Sequence, residues 1–141
     1  MDADALGDEE AALQRARLHV RGGRRRLSQG KTSAGLVTLY DALEFALEWY
    51  VSSTAHREAL GLKEGERRES GHLFEGLVKA GILDGAFDFK TFDDLTERAL
   101  QEELTDLDCP GILAGLESVM TQLGIMPFDE EALPKEDPAT F

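Results

Sequence analysis

The segment SAGLVTLYDALEFALEWYVSS, Ser33 to Ser53, predicts a long helix with apolar residues on more than one face. Leu36, Tyr40, Leu43, Leu47 and Tyr50 follow one helical stripe, and Leu39, Ala42, Ala46 and Trp49 widen it toward a second. Asp41, Glu44 and Glu48 remain on a narrower polar face. A surface helix buries a single stripe, so a helix that needs cover on two sides belongs inside a bundle.

Toward the amino terminus, a first helix is expected from near Asp8, which can cap it, to about Gln29, with Leu13, Ala16, Val20 and Leu27 turned inward. Gly22 and Gly23 each weaken it by about 1 kcal/mol relative to alanine, so close approach to another helix or a bend is expected there. Gly30 closes it. Beyond Ser53 come a short helical piece around His56 to Leu60, a turn broken at Gly65, and a short helix capped by Ser70 and ended by Gly81. Phe87 and Phe89 are expected to wedge against helices. Thr91 and Asp94 have capping-box spacing for a helix that carries Leu95, Ala99, Leu100, Leu104 and Leu107 and stops near Cys109. Pro110 suits the first turn of a final helix that Gly124 ends. The fold class is therefore all-α, an antiparallel up-and-down bundle of four or five helices without a sheet. Residues 1–7 are expected to form a flexible amino terminus, 8–124 the bundle, and 125–141 an acidic, partly mobile tail that pins Ile125, Met126 and Phe128.

A length of 141 residues suffices for one domain that buries about two-thirds of its unfolded surface without metal or disulfides. The single cysteine, Cys109, cannot form an internal disulfide, and no amino-terminal apolar run resembles a secretory segment. Reducing cytoplasm is the expected compartment. No apolar stretch reaches the roughly 20 residues a bilayer demands. The net charge of -13 argues against nucleic acid, whose affinity for proteins draws on Lys and Arg. Charge is nonetheless uneven: seven basic residues face five acidic ones through Lys31, whereas fifteen acidic residues outweigh three basic ones from Asp84 onward. Arg21, Arg24, Arg25 and Arg26 are a candidate anion-binding patch, or a basic end that lies against acidic surface of its own fold or of a twin subunit.

Motifs with catalytic precedent are incomplete. Gly30-Lys31-Thr32 lacks the earlier glycine of a phosphate-binding loop, where Arg25 stands, and follows a helix instead of a strand. Glu69 and His72 have the Glu-x-x-His spacing of di-iron bundles, but no second pair accompanies them. No metal or other cofactor is expected, and Cys109 reads as an inert thiol.

Residues 30–47, with Ala42-Leu43-Glu44-Phe45-Ala46, resemble the second helix of HEPN domains, helical relatives of nucleotidyltransferase substrate-binding subunits. His72-Leu73-Phe74-Glu75-Gly76-Leu77 is similar to the histidine-led short helix of that family, and the resemblance extends from about Ala11 to Leu123. It implies a bundle that dimerises and a protein partner such as a nucleotidyltransferase or a toxin-antitoxin-type protein. Some members are metal-independent RNases with an Arg and a His four to six residues later; Arg67 and His72 meet that spacing. There His would deprotonate a ribose hydroxyl and Arg would steady the phosphate. Gly71 and the nearby Glu64, Glu66, Glu69 and Glu75 speak against it.

The reading favours a non-catalytic helical binding protein over the RNase alternative. A homodimer is expected, with Tyr40, Trp49 and Tyr50 as candidate seam residues that internal packing could equally claim.

Overall fold

The computed structural model describes residues 2–63, 66 and 68–140. It contains six helices: α1 (Asp2–Ser28), α2 (Thr32–Val51), α3 (Thr54–Ala59), α4 (Ser70–Lys79), α5 (Phe89–Ala99) and α6 (Cys109–Leu123). The expectation of four or five helices is thus corrected to six, in an all-α bundle with no strand among the described residues. The additional helix is α3. Ser53 caps it by accepting from the His56 amide, and His56 lies flat on Tyr50 at 3.8 Å between ring centroids, so the short link after α2 becomes an anchored element.

α1 and α2 form an antiparallel hairpin. Gly30 turns the chain at φ 77°, a conformation that costs glycine little. The register follows from two reciprocal insertions. Leu39 fills the place a Gly23 side chain would occupy, where an added Cβ would stand 2.5 Å from Leu39 Cδ2, and Leu27 does the same at Gly35, at 2.6 Å. The paired glycines therefore permit the close approach that Gly22 and Gly23 predict. Gly7, at φ 77° and ψ 160°, interrupts α1, so a helical stretch from Asp2 precedes the helix expected from Asp8.

α2 packs against all five other helices, which is why its apolar surface is so wide. Leu36, Leu39, Leu43 and Leu47 are fully buried or within 1% of it, each contributing about 1.5–3 kcal/mol by removal from water. The far side of α2 is covered by a ring cluster in which Tyr40 lies 5.9 Å from Phe92 and 6.1 Å from Phe89. Phe74 and Phe87 extend it, 5.4 Å separating Phe87 from Phe92.

Local caps depart from the sequence expectation. Asp88, not Thr91, caps α5: its carboxylate accepts from both the amide and the hydroxyl of Thr91. The N-cap of α4 is Glu69, which leaves Ser70 inside the first turn. α5 ends at Ala99 instead of continuing to Cys109, although Leu104 is buried. A serine explains how that loop is held. Ser33 Oγ donates to Glu102 O at 2.7 Å and accepts from the Leu104 amide at 2.8 Å, while the Ser33 amide donates to Glu103 Oε1 at 3.2 Å. The first turn of α2 is thereby satisfied by a carboxylate from 70 residues away. Asp108 caps α6, Pro110 lies in its first turn, and Gly124 ends it at φ 92°.

Candidate functional site

Two surfaces carry chemistry beyond packing, and they are opposite in sign. The first is the arginine face of α1. Arg17, Arg21, Arg24 and Arg25 recur at helical spacing, so their side chains project from neighbouring turns of one side. Residues 125–136 lie along that side. Arg17 Nε donates to Ile125 O at 3.0 Å, and its guanidinium stands 5.6 Å from the Phe128 ring centre. Arg21 Nη2 donates to Pro134 O at 2.6 Å, and its Nε, 3.9 Å from Glu136 Oε2, has no hydrogen-bond partner. Arg25 Nε meets both oxygens of Glu136, at 3.1 and 3.2 Å. Arg24 donates from Nε to Glu117 Oε2 at 2.6 Å, adds a second contact to the same carboxylate through Nη2, and reaches Glu130 Oε1 at 3.1 Å. Arg26 points elsewhere, donating to Thr38 Oγ1 on α2 at 3.0 Å. Of the four arginines read as an anion patch, three therefore meet carboxylates of their own chain, and one tethers the helical hairpin.

The second surface is a groove of about 350 Å³ between α5 and α6. Phe87, Phe92, Leu95 and Ile112 line it with apolar side chains, of which Phe92 is buried and the others are half-buried. Gly115 on α6 lets Phe87 come close, an added Cβ lying 2.9 Å from its Cδ1. The ionisable residues at the groove are all acidic and exposed: Asp84, Asp88 and Asp108. Each turns a loop or caps a helix, Asp84 accepting from Ala86 N, Asp88 from Thr91 N and Asp108 from Gly111 N. Hydrogen bonding to the Thr91 amide and hydroxyl holds the Asp88 carboxyl below its ordinary value, so it stays ionised. The sequence predicts that Phe87 packs against helices but does not locate the groove, whose walls come from two separated segments, residues 84–95 and 108–122.

The other candidate residues are scattered. Arg67 lies outside the described residues. His72 is exposed on the first turn of α4, beside a shallow depression lined by Arg68, Glu75 and Lys79. Arg68 is engaged by Glu66 at 3.1 Å, and the Lys63 amide, followed by Arg68, holds the Glu66 carboxyl below its ordinary value. His56 Nδ1 is 2.7 Å from Tyr50 O and His19 Nδ1 is 2.7 Å from Arg15 O, contacts in which the ring N–H donates to a carbonyl. Among the described residues no group of three or more His, Cys, Asp or Glu side chains is placed to hold a metal ion. Nor is any described helix long and apolar enough to cross a membrane.

The aromatic residues named for a dimer seam pack within the chain. Tyr40 lies beneath Phe89 and Phe92, where burial, then its hydrogen bond to Asp93, raises its phenol pKa well above the ordinary value. Tyr50 is 8% exposed, and Trp49 stands edge-on to it at 6.5 Å while reaching toward Gly124.

Comparison of the chain with protein-family models, curated proteins and solved structures finds no match.

Proposed function

We propose that this chain is a non-catalytic, HEPN-like helical interaction protein that binds a protein partner through the groove between α5 and α6. The observation that carries the reading is the composition of that groove: aromatic and aliphatic walls open to solvent, with aspartates alone among its ionisable residues. Such a surface takes an apolar anchor flanked by Lys or Arg, the chemistry of a basic amphipathic helix. Under the HEPN resemblance, that helix would belong to a nucleotidyltransferase or a toxin-antitoxin-type protein in the cytoplasm.

Titration with an amphipathic Leu/Lys helical peptide, followed by NMR, tests the reading. Amide shifts are expected to concentrate on residues 84–95 and 108–118, and to disappear in the Asp84→Asn/Asp88→Asn/Asp108→Asn variant. Asparagine caps helices about as well as aspartate, so the variant removes charge while keeping the turns. Shifts spread over other helices, or retained in the variant, would refute the assignment. Incubation with single-stranded RNA bears on the competing chemistry: cleavage that survives purification and is lost in His72→Ala would favour the metal-independent RNase, with Arg67 steadying the phosphate.

A homodimer belongs to the same proposal; because the chain's own helices cover both sides of α2, its seam lies elsewhere than on that helix's apolar faces. Leu100, 69% exposed, is the large apolar side chain that stands out at the surface among the described residues. Light scattering that returns 15.5 kDa, the mass of one chain, at tens of micromolar would reject the dimer.

A further inference from the structure

We infer that the arginine face of α1 is a docking surface for an acidic peptide segment of another protein, and that residues 126–137 of this chain, with a 3-10 turn at Glu130–Ala132, occupy it as a resident substitute. What lies on the face already displays the chemistry of such a ligand. Glu130 and Glu136, six residues apart, reach Arg24 and Arg25, and the backbone carbonyl of Pro134 accepts from Arg21. Phe128 places its ring beneath the Arg17 guanidinium. An aromatic residue followed by two spaced carboxylates is therefore the pattern the face selects.

The resident segment is held in a way that permits exchange. Its carboxylate contacts are unequal: the Glu130 side chain is 49% exposed, and so solvated an ion pair contributes little, whereas Glu136, 19% exposed, is the anchor that a competing carboxylate has to replace. Its apolar contacts are also incomplete: a cavity of about 240 Å³, lined by Leu13, Arg17, Phe128 and Leu133, remains beside them. The Arg21 Nε, buried without a hydrogen-bond partner, marks a donor that the resident segment leaves unused. A peptide is favoured over a polynucleotide on two grounds. Arg21 recognises a peptide carbonyl, and the chain's net charge of -13 repels a phosphate backbone.

Tethering gives the resident segment an effective concentration in the millimolar range, so a free peptide competes poorly until the tether's own contacts are weakened. The test uses the full-length chain and, as probe, a fluorescein-labelled peptide of residues 126–139. The full-length Glu130→Gln/Glu136→Gln variant is expected to bind the peptide at least about tenfold more tightly than the unsubstituted chain. Adding Arg24→Gln/Arg25→Gln should abolish that gain. Equal binding by the unsubstituted and Gln variants, or binding that survives loss of the arginines, would overturn the proposal. So would preferential binding of single-stranded poly(U) over the peptide, which would make the face a nucleic-acid site. Hydrogen exchange provides a readout that needs no arginine variant: the probe should accelerate exchange at residues 128–137 of the Gln variant as they are displaced, and an unchanged rate there would also refute it.

Discussion

The interface between α1 and α2 and the groove between α5 and α6 each bring a side chain against a helix glycine, yet one is closed and the other open. At Gly23 and Gly35 the incoming side chains are leucines, inserted reciprocally from helices that run side by side over many turns. At Gly115 the incoming side chain is Phe87, from a connector, and a groove of about 350 Å³ remains beside it. A glycine thus allows close approach, but complementarity along the whole contact decides whether surface is left over for a ligand. Close packing makes the first interface a source of stability, and incomplete packing makes the second a candidate for recognition.

The largest expected effect tests the closed interface directly. Leu39→Ala removes a fully buried side chain from the hairpin and should cost about 2–5 kcal/mol in denaturant unfolding, whereas Leu95→Ala in the half-buried groove should cost clearly less. Equal losses would mean that the groove is as essential to the core as the hairpin. Next comes the contact that joins the two regions. Ser33→Ala would leave the buried Leu104 amide without its partner and should destabilise by about 1–3 kcal/mol, with faster amide exchange at Leu104. Exchange unchanged at that amide would show that the clamp is replaceable.

The glycines sharpen the comparison at smaller amplitude. Gly23→Ala gains about 1 kcal/mol of helix propensity but forces Leu39 from its place, for a net loss of about 0–2 kcal/mol. Gly115→Ala should be neutral or stabilising, since the Phe87 ring has open space into which it can move. Thermal melts of the two variants should differ in that order, and the reverse order would contradict the packing described.

The smallest effect depends on pH. Burial, then the neighbouring charge of Asp41, raises the Glu44 carboxyl pKa, while a hydrogen bond from Ser70 opposes the rise. A carboxyl whose folded value lies above its unfolded value costs stability when ionised. That cost is present above the folded value and fades as pH falls below the unfolded one, about 4. Glu44→Gln should therefore be slightly more stable than the parent at pH 7, and the advantage should vanish in acid. An advantage independent of pH would assign it to packing instead.

The parts of this architecture legible in the sequence are those dictated by neighbours in the chain. Apolar periodicity identifies α2, and its demand for cover on both sides is met. Gly30, Gly81 and Gly124 end helices where their freedom at positive φ is needed. Where sequence reading erred, several local solutions competed. Asp88 offers the α5 terminus a carboxylate three residues before Thr91, a better acceptor than the threonine hydroxyl, and so displaces the apparent capping box. Leu104 and Leu107 continue the helical rhythm of Leu100 across a loop, because burial alone does not reveal backbone conformation. The candidate sites were less legible still. The arginines of α1 find Glu117, Glu130 and Glu136 more than 90 residues later, and a charge count supplies the signs of such partners but not their pairing.

The contact of α2 with every other helix has a consequence for how the chain comes apart. No neighbour can detach without exposing part of the same central helix, so the amides of α2 should exchange only through global opening, while those of residues 128–137 exchange through a smaller, separate event. Severing the polypeptide between Ser53 and Thr54 would divide α2 from most of its cover. Residues 1–53 would then carry a hairpin with one face bare, and residues 54–141 a set of short helices joined by little more than the Phe74, Phe87 and Phe92 rings, without the central helix that they cover. Produced together, the two fragments should find each other and restore the bundle; produced apart, neither should hold its helices.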